Sequence, residues 1–246
     1  MLAVAAVDVR SGRRHERDAH VPLPAASTIK VLISAALWSG VCAGDVDPDR
    51  RLRAGSAPVP GGGGLLESMH PDTQLTLAEL DLLMLAVSDN AATNAIIDVV
   101  GMDAVNDLAR ALGLEHTRLR RRMMDVAAAE RGGDNTTSAA DMAALLCALA
   151  RADGIPARAC RRVLAAMAQS HHTDIVPRYL PAAACRVVSS KQGELESVRH
   201  DVALIDEDGH RIAVAVLSAP AAAADGLART AALAYRVVCT WGTSGD

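Results

Sequence analysis

Strand-like segments stand at the two ends of this chain, and the long stretch between them is patterned for helix. Residues 2–8 (LAVAAVD) are an apolar run closed by a turn at Arg10-Ser11-Gly12, with a second short extended stretch after it, which reads as a hairpin. Near the other end CRVVSS, DVALID and RIAVAVLS, within 185–218, return to strand, the last two joined by the turn at 207–209. Residues 27–170 are predicted to be helical throughout: Val31–Leu37, Leu75–Val87, Ala91–Val100, Ala104–Leu112 and Met142–Leu149, with Gly101 and Gly113 at expected C-caps. Thr76 with Glu79 forms a capping box, and Ser138 with Asp141 gives a similar start. A helix over Ala222–Val238 closes the chain. Such an order predicts an α/β chain of the α+β type, one antiparallel sheet built from both chain ends with an inserted all-helical lobe. The sheet lobe then takes 1–24 and 182–246, the helical lobe 25–181, and the active site falls at their interface.

Composition narrows the partners. The net charge is −4 and no basic stripe or tail is present, which argues against nucleic acid. No Phe, two Trp and two Tyr leave no platform for stacking bases, so the core is aliphatic. The first apolar run is short and lacks a basic flank, and Val31–Gly44 is a 14-residue uncharged run, short for a membrane span. The expectation is a cytoplasmic protein with a small-molecule substrate, no membrane, no cofactor and an open oligomeric state. The five cysteines have no CxxC or CxxH spacing and read as small buried hydrophobes in a reducing compartment.

Of the 25 basic residues only two are lysine, Lys30 and Lys191. An arginine excess with abundant Ala and Gly is what a GC-rich coding bias produces. A lysine that survives it is a candidate for work that needs an ammonium able to shift its pKa and pass a proton. Lys30 is the only charge between Asp18 and Asp45, and Ser27 precedes it by one helical turn, at the predicted helix start. An apolar helix desolvates such a lysine and lets the neutral amine accept the Ser27 proton. The plainer reading is an N-capping serine beside a snorkelling lysine, and an SxxK arises by chance about one time in nine in a chain of this composition.

Ser88-Asp89-Asn90 lies between two predicted helices, where a capped helix–helix turn is the plain alternative; a chance SDN has odds of about one in fifty. Lys191-Gln192-Gly193 follows the CRVVSS strand, and a glycine there lets a ligand approach the backbone closely, against the plain reading of a charged edge strand. Ser88 stands 61 positions after Ser27, and Lys191 stands 103 after Ser88. In order and spacing the three resemble the SxxK, SDN and KTG signatures of the serine β-lactamase and penicillin-binding-protein superfamily, closest to class A β-lactamase-related serine hydrolases. The flanking text HPDTQLTLAELDLLMLAVSDNAATN, GGDNTTSAADMAALL and KQGELESVRHDVALI agrees, so the resemblance runs nearly the whole chain.

The resemblance implies a class A β-lactamase-like fold and a mechanism. Ser27 is the acylated nucleophile and Lys30 its proton acceptor. Ser88 relays the proton to the leaving atom, Lys191 holds Ser88 and attracts a substrate carboxylate, and Asn90 binds the substrate's amide carbonyl. The N–H groups of Ser27 and of Glu194, after Gly193, form the oxyanion hole. Arg199 either binds an anionic group or, with Asp201, fixes the strand turn.

Two departures shape the expected function. Gln192 replaces the threonine of the third signature, which alters substrate choice. No E-x-x-N pattern precedes Asp134, so Asp125 is the candidate deacylation base, with Glu130 the only other acid in that stretch. The implied activity is a serine hydrolase or acyltransferase, an amidase or esterase acting through acyl-Ser27 on a small molecule. A true class A β-lactamase or D-Ala-D-Ala-type peptidase is the alternative, and a non-catalytic ligand-binding member is the alternative of another class. Gly61–Gly64 reads as a flexible loop, His171-His172 with Asp174 as surface residues rather than metal ligands, and Arg120–Arg122 as a clamp on Asp125 or Asp134.

Overall fold

The computed structural model describes residues 1–54, 59, 62–180, 186–207 and 209–240; Gly61, Cys185, Asp208 and Trp241 therefore lie outside the described residues. The chain opens with β1 (Leu2–Asp8), β2 (Arg14–Arg17) and the two-residue β3 (Leu23–Pro24), then a 3-10 turn, Ala26–Ile29, that runs directly into α1 (Lys30–Ala43). A ribbon of β4 (Arg51–Arg53) and β5 (Gln74–Thr76) leads to α2 (Leu77–Ala86), α3 (Asn90–Val100) and α4 (Met102–Ala111). After a long loop come α5 (Val126–Glu130), β6 (Thr136–Thr137), α6 (Ala139–Arg151) and α7 (Ala157–Met167). A turn at Val176–Tyr179 precedes β7 (Arg186–Leu195), β8 (Val198–Glu207), β9 (His210–Ser218) and α8 (Ala224–Thr240).

The main sheet has the order β2-β1-β9-β8-β7 and is antiparallel at every pairing. Its middle is the junction of the two chain ends, β1 against β9 from Leu2↔Ser218 to Asp8↔Ile212. Alternation along the strands fills two cores. Ala3, Ala5, Val7, Val202, Leu204, Ala213, Ala215 and Leu217 face the helical lobe. Val4, Ala6, Ala203, Ile205, Val214 and Val216 face Leu227, Ala231, Ala234, Tyr235 and Val238 on α8. A strand buried on both sides needs no polar alternation, which is why LAVAAVD is apolar throughout.

At the centre of the helical lobe, α1 packs against α2, α3, α4 and α7, and every residue from Lys30 to Trp38 is buried. The expected caps form: Thr76 and Glu79 exchange both bonds of a capping box, and Ser138 Oγ accepts from Asp141 N. The box also moves a boundary. Thr76 is an N-cap with extended backbone, so Leu75, expected in the helix, belongs to β5.

Residues 27–170 are thus not helical throughout; the ribbon interrupts them, and so does the stretch from Gly113 to Asp125. Three asparagines hold that stretch. Asn106 accepts from Leu119 N and donates to Leu119 O, both at 2.9 Å. Asn94 does the same to Met123, at 2.8 and 3.2 Å. Asn135 Oδ1 accepts from Arg120 N at 2.7 Å and Arg121 N at 3.0 Å. Backbone that would otherwise be orphaned under Leu119 and Met123 is satisfied by amide side chains in place of a ladder.

One carboxylate is buried against α1. Asp81 on α2 accepts from Trp38 Nε1 at 2.8 Å, while Ser34 lies beside its other oxygen, short of hydrogen-bond geometry. Burial pushes Asp81 from 3.8 up to about 6, offset in part by Ser34 and Trp38. The fold therefore favours the neutral carboxyl, and stability is lost as pH rises from about 4 through 6. Asp81→Asn keeps an acceptor for Trp38 and removes the charge. Urea denaturation should find the variant gaining about 3 kcal/mol on the wild type between pH 4 and pH 8. An equal difference at both pH values would refute the buried-charge account.

Candidate functional site

The site starts where β3 feeds the 3-10 turn. Neither that turn nor α1 has a side-chain N-cap, so the Ser27 hydroxyl is not spent on capping. Ser27 is partly buried and lines a cavity of about 540 Å³ with Ala26, Asn90, Met123 and Glu194. The strand that feeds the turn, β3, is tied to β8 by His200. This buried imidazole accepts from Ser218 N at Nδ1 (3.2 Å), which leaves Nε2–H to donate to Pro24 O at 2.8 Å. Burial lowers its pKa, so it stays in this neutral tautomer. No motif marks His200 in the sequence; its role exists only through a contact 176 residues away.

Lys30 is fully buried, and its Nζ donates to Ser88 O at 2.7 Å, Ser88 Oγ at 3.2 Å and Asn90 Oδ1 at 2.7 Å. Burial, then the charge of Lys191, holds its pKa well below the usual lysine value, with Asp89 opposing. Ser88 has φ +60°, a left-handed conformation that costs a serine energy, and its neighbours over-determine it. Lys30 takes its carbonyl. Asp89 Oδ1 caps α3 through Ala92 N at 2.8 Å, and Asp89 Oδ2 accepts from Leu66 N at 2.7 Å. The glycine run is no free loop here. Asn90 N donates to Gly63 O and Asn90 Nδ2 to Gly62 O, each at 2.7 Å. Gly64 has φ +109°, and a Cβ on it would lie 2.8 Å from Asp89 Oδ2. Only glycine lets this strap lie so close to the turn.

The third part is β7, the sheet edge that packs against the 3-10 turn. A Cβ on Gly193 would lie 3.1 Å from Ala26 Cβ, Ser27 N and Thr28 Cγ2, so glycine is what allows that approach. Lys191 is fully buried and donates to Gln192 O at 2.7 Å. It is thus the Nζ of Lys30, not that of Lys191, that bonds Ser88. Burial brings Lys191 down to about 7, against the pull of Asp201. Asp201 is itself buried, pushed up to about 7 by burial, and accepts from Val176 N at 2.8 Å. It fastens the Val176–Tyr179 turn rather than the hairpin turn. Gln192 Nε2 donates to Asp174 Oδ1 at 2.6 Å, and Arg199 pairs with Glu194 across the strands.

The facing wall comes from the asparagine-held loop and α5. Here the structure corrects the placement of Asp125, which is exposed and caps α5 by accepting from Ala128 N at 3.0 Å. It does not line the cavity; Met123, Met124, Val126 and Ala129 do. Asp134 reaches the cavity wall, but Arg121 holds its Oδ1 at 2.8 Å. Arg122 pairs with Asp98 instead of the loop, and Glu130 is exposed. Among the described residues no group of three or more His, Cys, Asp or Glu side chains converges where a metal could sit. What the site offers is an uncommitted hydroxyl, a desolvated amine one turn away, and a second hydroxyl on that amine.

Comparisons with known proteins bear on the fold and the family. In structure the chain is similar to the beta-lactamase from Sphaerobacter thermophilus DSM 20745, at 27% identity and a TM-score of 0.89, over 98% of this chain and 92% of that one. It is similar to PBP-A at 25% identity and a TM-score of 0.85, over 98% and 90%. In sequence it is 24% identical to the Beta-lactamase regulatory protein BlaB of Streptomyces cacaoi, over 89% of this chain and 84% of that protein. The model of the Beta-lactamase enzyme family matches residues 2–238, and the chain belongs to that family.

Proposed function

We propose that the chain is a serine hydrolase or acyltransferase that forms an ester on Ser27 from an amide or ester of a small molecule. The observation that carries this reading is the buried Lys30, low in proton affinity and bonded to Ser88, one turn after a hydroxyl open to a cavity. Lys30 takes the Ser27 proton as Ser27 Oγ bonds to the acyl carbon, and Ser88 passes that proton to the departing nitrogen or oxygen. Asn90 orients the acyl group, and the N–H groups of Ser27 and Glu194 stabilise the oxyanion. Water or another acceptor then takes the acyl group. The relative named a regulatory protein supports a second reading, a ligand-binding member without turnover. Covalent chemistry separates the two.

Ser27→Ala should abolish labelling by a fluorophosphonate. Because Ser27 caps nothing, stability should change by less than about 0.5 kcal/mol. A labelled alanine variant would show that the nucleophile is another residue. Lys191→Arg should slow acylation by about 10²-fold, since a forked guanidinium replaces a fully buried ammonium. Wild-type acylation kinetics in that variant would remove Lys191 from the machinery.

Deacylation should be slow. Neither Asp125 nor Glu130 lines the cavity, Asp134 there is held by Arg121, and loss of a positioned base costs about 10²–10⁴-fold. Intact-protein mass spectrometry should hold an acyl adduct for minutes, and chromogenic cephalosporin turnover should be weak. Asp125→Asn should leave the adduct lifetime unchanged. Rapid multiple-turnover hydrolysis by the wild type would restore a plain β-lactamase.

A further inference from the structure

On β7 and β8, side chains two apart share a face, and directly opposite residues point the same way. Gln192, Glu194 and Arg199 therefore share one face beside the Gly193 edge, while Asp201, opposite Gln192 on that face, is buried. The donors of this set that could receive a substrate carboxylate are already engaged by carboxylates of the chain itself. The Arg199 guanidinium is taken by Glu194, with a further bond to Ala222 O at 3.4 Å. The Gln192 amide is taken by Asp174.

The remaining charge at this edge is negative. Asp174 and Glu196 are exposed and form no ion pair among the described residues, while Asp134 on the cavity wall is matched by Arg121. The two lysines of the floor are fully buried, and their Nζ atoms are engaged by acceptors of the chain itself. In the proposed reaction the departing atom receives its proton from Ser88. The leaving group thus exits on the Ser88 side of the cavity, whose β7 wall Glu194 lines. The acyl group lies towards Asn90 and the apolar wall of Met123, Met124, Val126 and Leu195.

We infer that this site takes amides or esters whose leaving group is neutral or cationic and rejects those whose leaving group carries a carboxylate, with Glu194 as the specificity-determining residue. The inference rests on the acyl-Ser27 reading and extends it to the substrate class. Glu194 sits on Arg199 as an internal stand-in for a substrate carboxylate. A genuine one must displace it and meet its charge, together with that of Glu196.

Three phenylacetyl thioesters test this, sharing one acyl group and differing in leaving group: thioglycolate (anionic), thioglycolamide (neutral) and thiocholine (cationic). In each the bond from Ser27 Oγ to the acyl carbon forms, the carbon–sulfur bond breaks, and the Ser27 proton ends on the departing sulfur. Released thiol is read with a thiol-reactive chromophore, and the common adduct by intact mass. Normalised to hydroxide-catalysed hydrolysis, thioglycolate should acylate about tenfold or more slowly than thioglycolamide, with thiocholine at least as fast as the amide. Glu194→Gln, an exposed position, should narrow the tenfold gap to less than about threefold by freeing Arg199. If thioglycolate matches thioglycolamide on the wild type, or the gap persists in Glu194→Gln, the specificity assignment is overturned while the Ser27 adduct keeps the acyl-enzyme reading. No adduct from any of the three overturns both.

Discussion

A fully buried lysine is the constraint on which the rest of the site depends. Leaving the Lys30 amine unpartnered in that interior would be costly, and the chain meets the cost with three acceptors drawn from one turn, Ser88 O, Ser88 Oγ and Asn90 Oδ1. Those acceptors converge only if Ser88 adopts its left-handed backbone. That in turn requires Asp89 to cap α3 and the glycine strap to lie against the turn. The polar centre of an otherwise aliphatic lobe therefore has one arrangement. Its strain is held by neighbours that are themselves fully bonded.

Closing the site needs the other lobe. Pairing of β1 with β9 joins the chain ends, and the sheet then continues through β8 to the free edge β7. That edge lies against the Ser27 turn because Gly193 has no side chain and because His200 ties β8 to Pro24. Both contacts are short and local in space, yet they join segments more than 160 residues apart in sequence. A shift of a few tenths of an ångström at either would misplace the Ser27 and Glu194 N–H groups relative to one another, and oxyanion stabilisation depends steeply on such placement.

The facing wall has a different physics. Asparagine side chains, not a helix or a ladder, hold the 119–123 backbone, and the residues of it that line the cavity are Arg121 and Met123. Met123, Met124, Val126 and Ala129 make most of that wall apolar, and its one acid, Asp134, is held by Arg121. That is the physical basis for expecting a persistent acyl-enzyme.

The sequence alone determined the strands at both ends, the helical middle, the capping box at Thr76 and the N-cap at Ser138, and the lysine scarcity that singled out Lys30 and Lys191. All of these are local in the chain, in periodicity, caps and composition, so a linear reading reaches them. The resemblance carried by Ser27, Ser88 and Lys191 supplied the candidate constellation. Only the tertiary structure decided the partners. Lys30 rather than Lys191 bonds Ser88, Asp125 caps a short helix instead of facing the cavity, and Gly62–Gly64 brace a turn instead of swinging free. His200 and the asparagine clamps had no sequence signal at all. The physical reason is shared: a hydrogen bond between distant segments depends on side-chain direction and burial, which sequence spacing does not encode until the two lobes have packed.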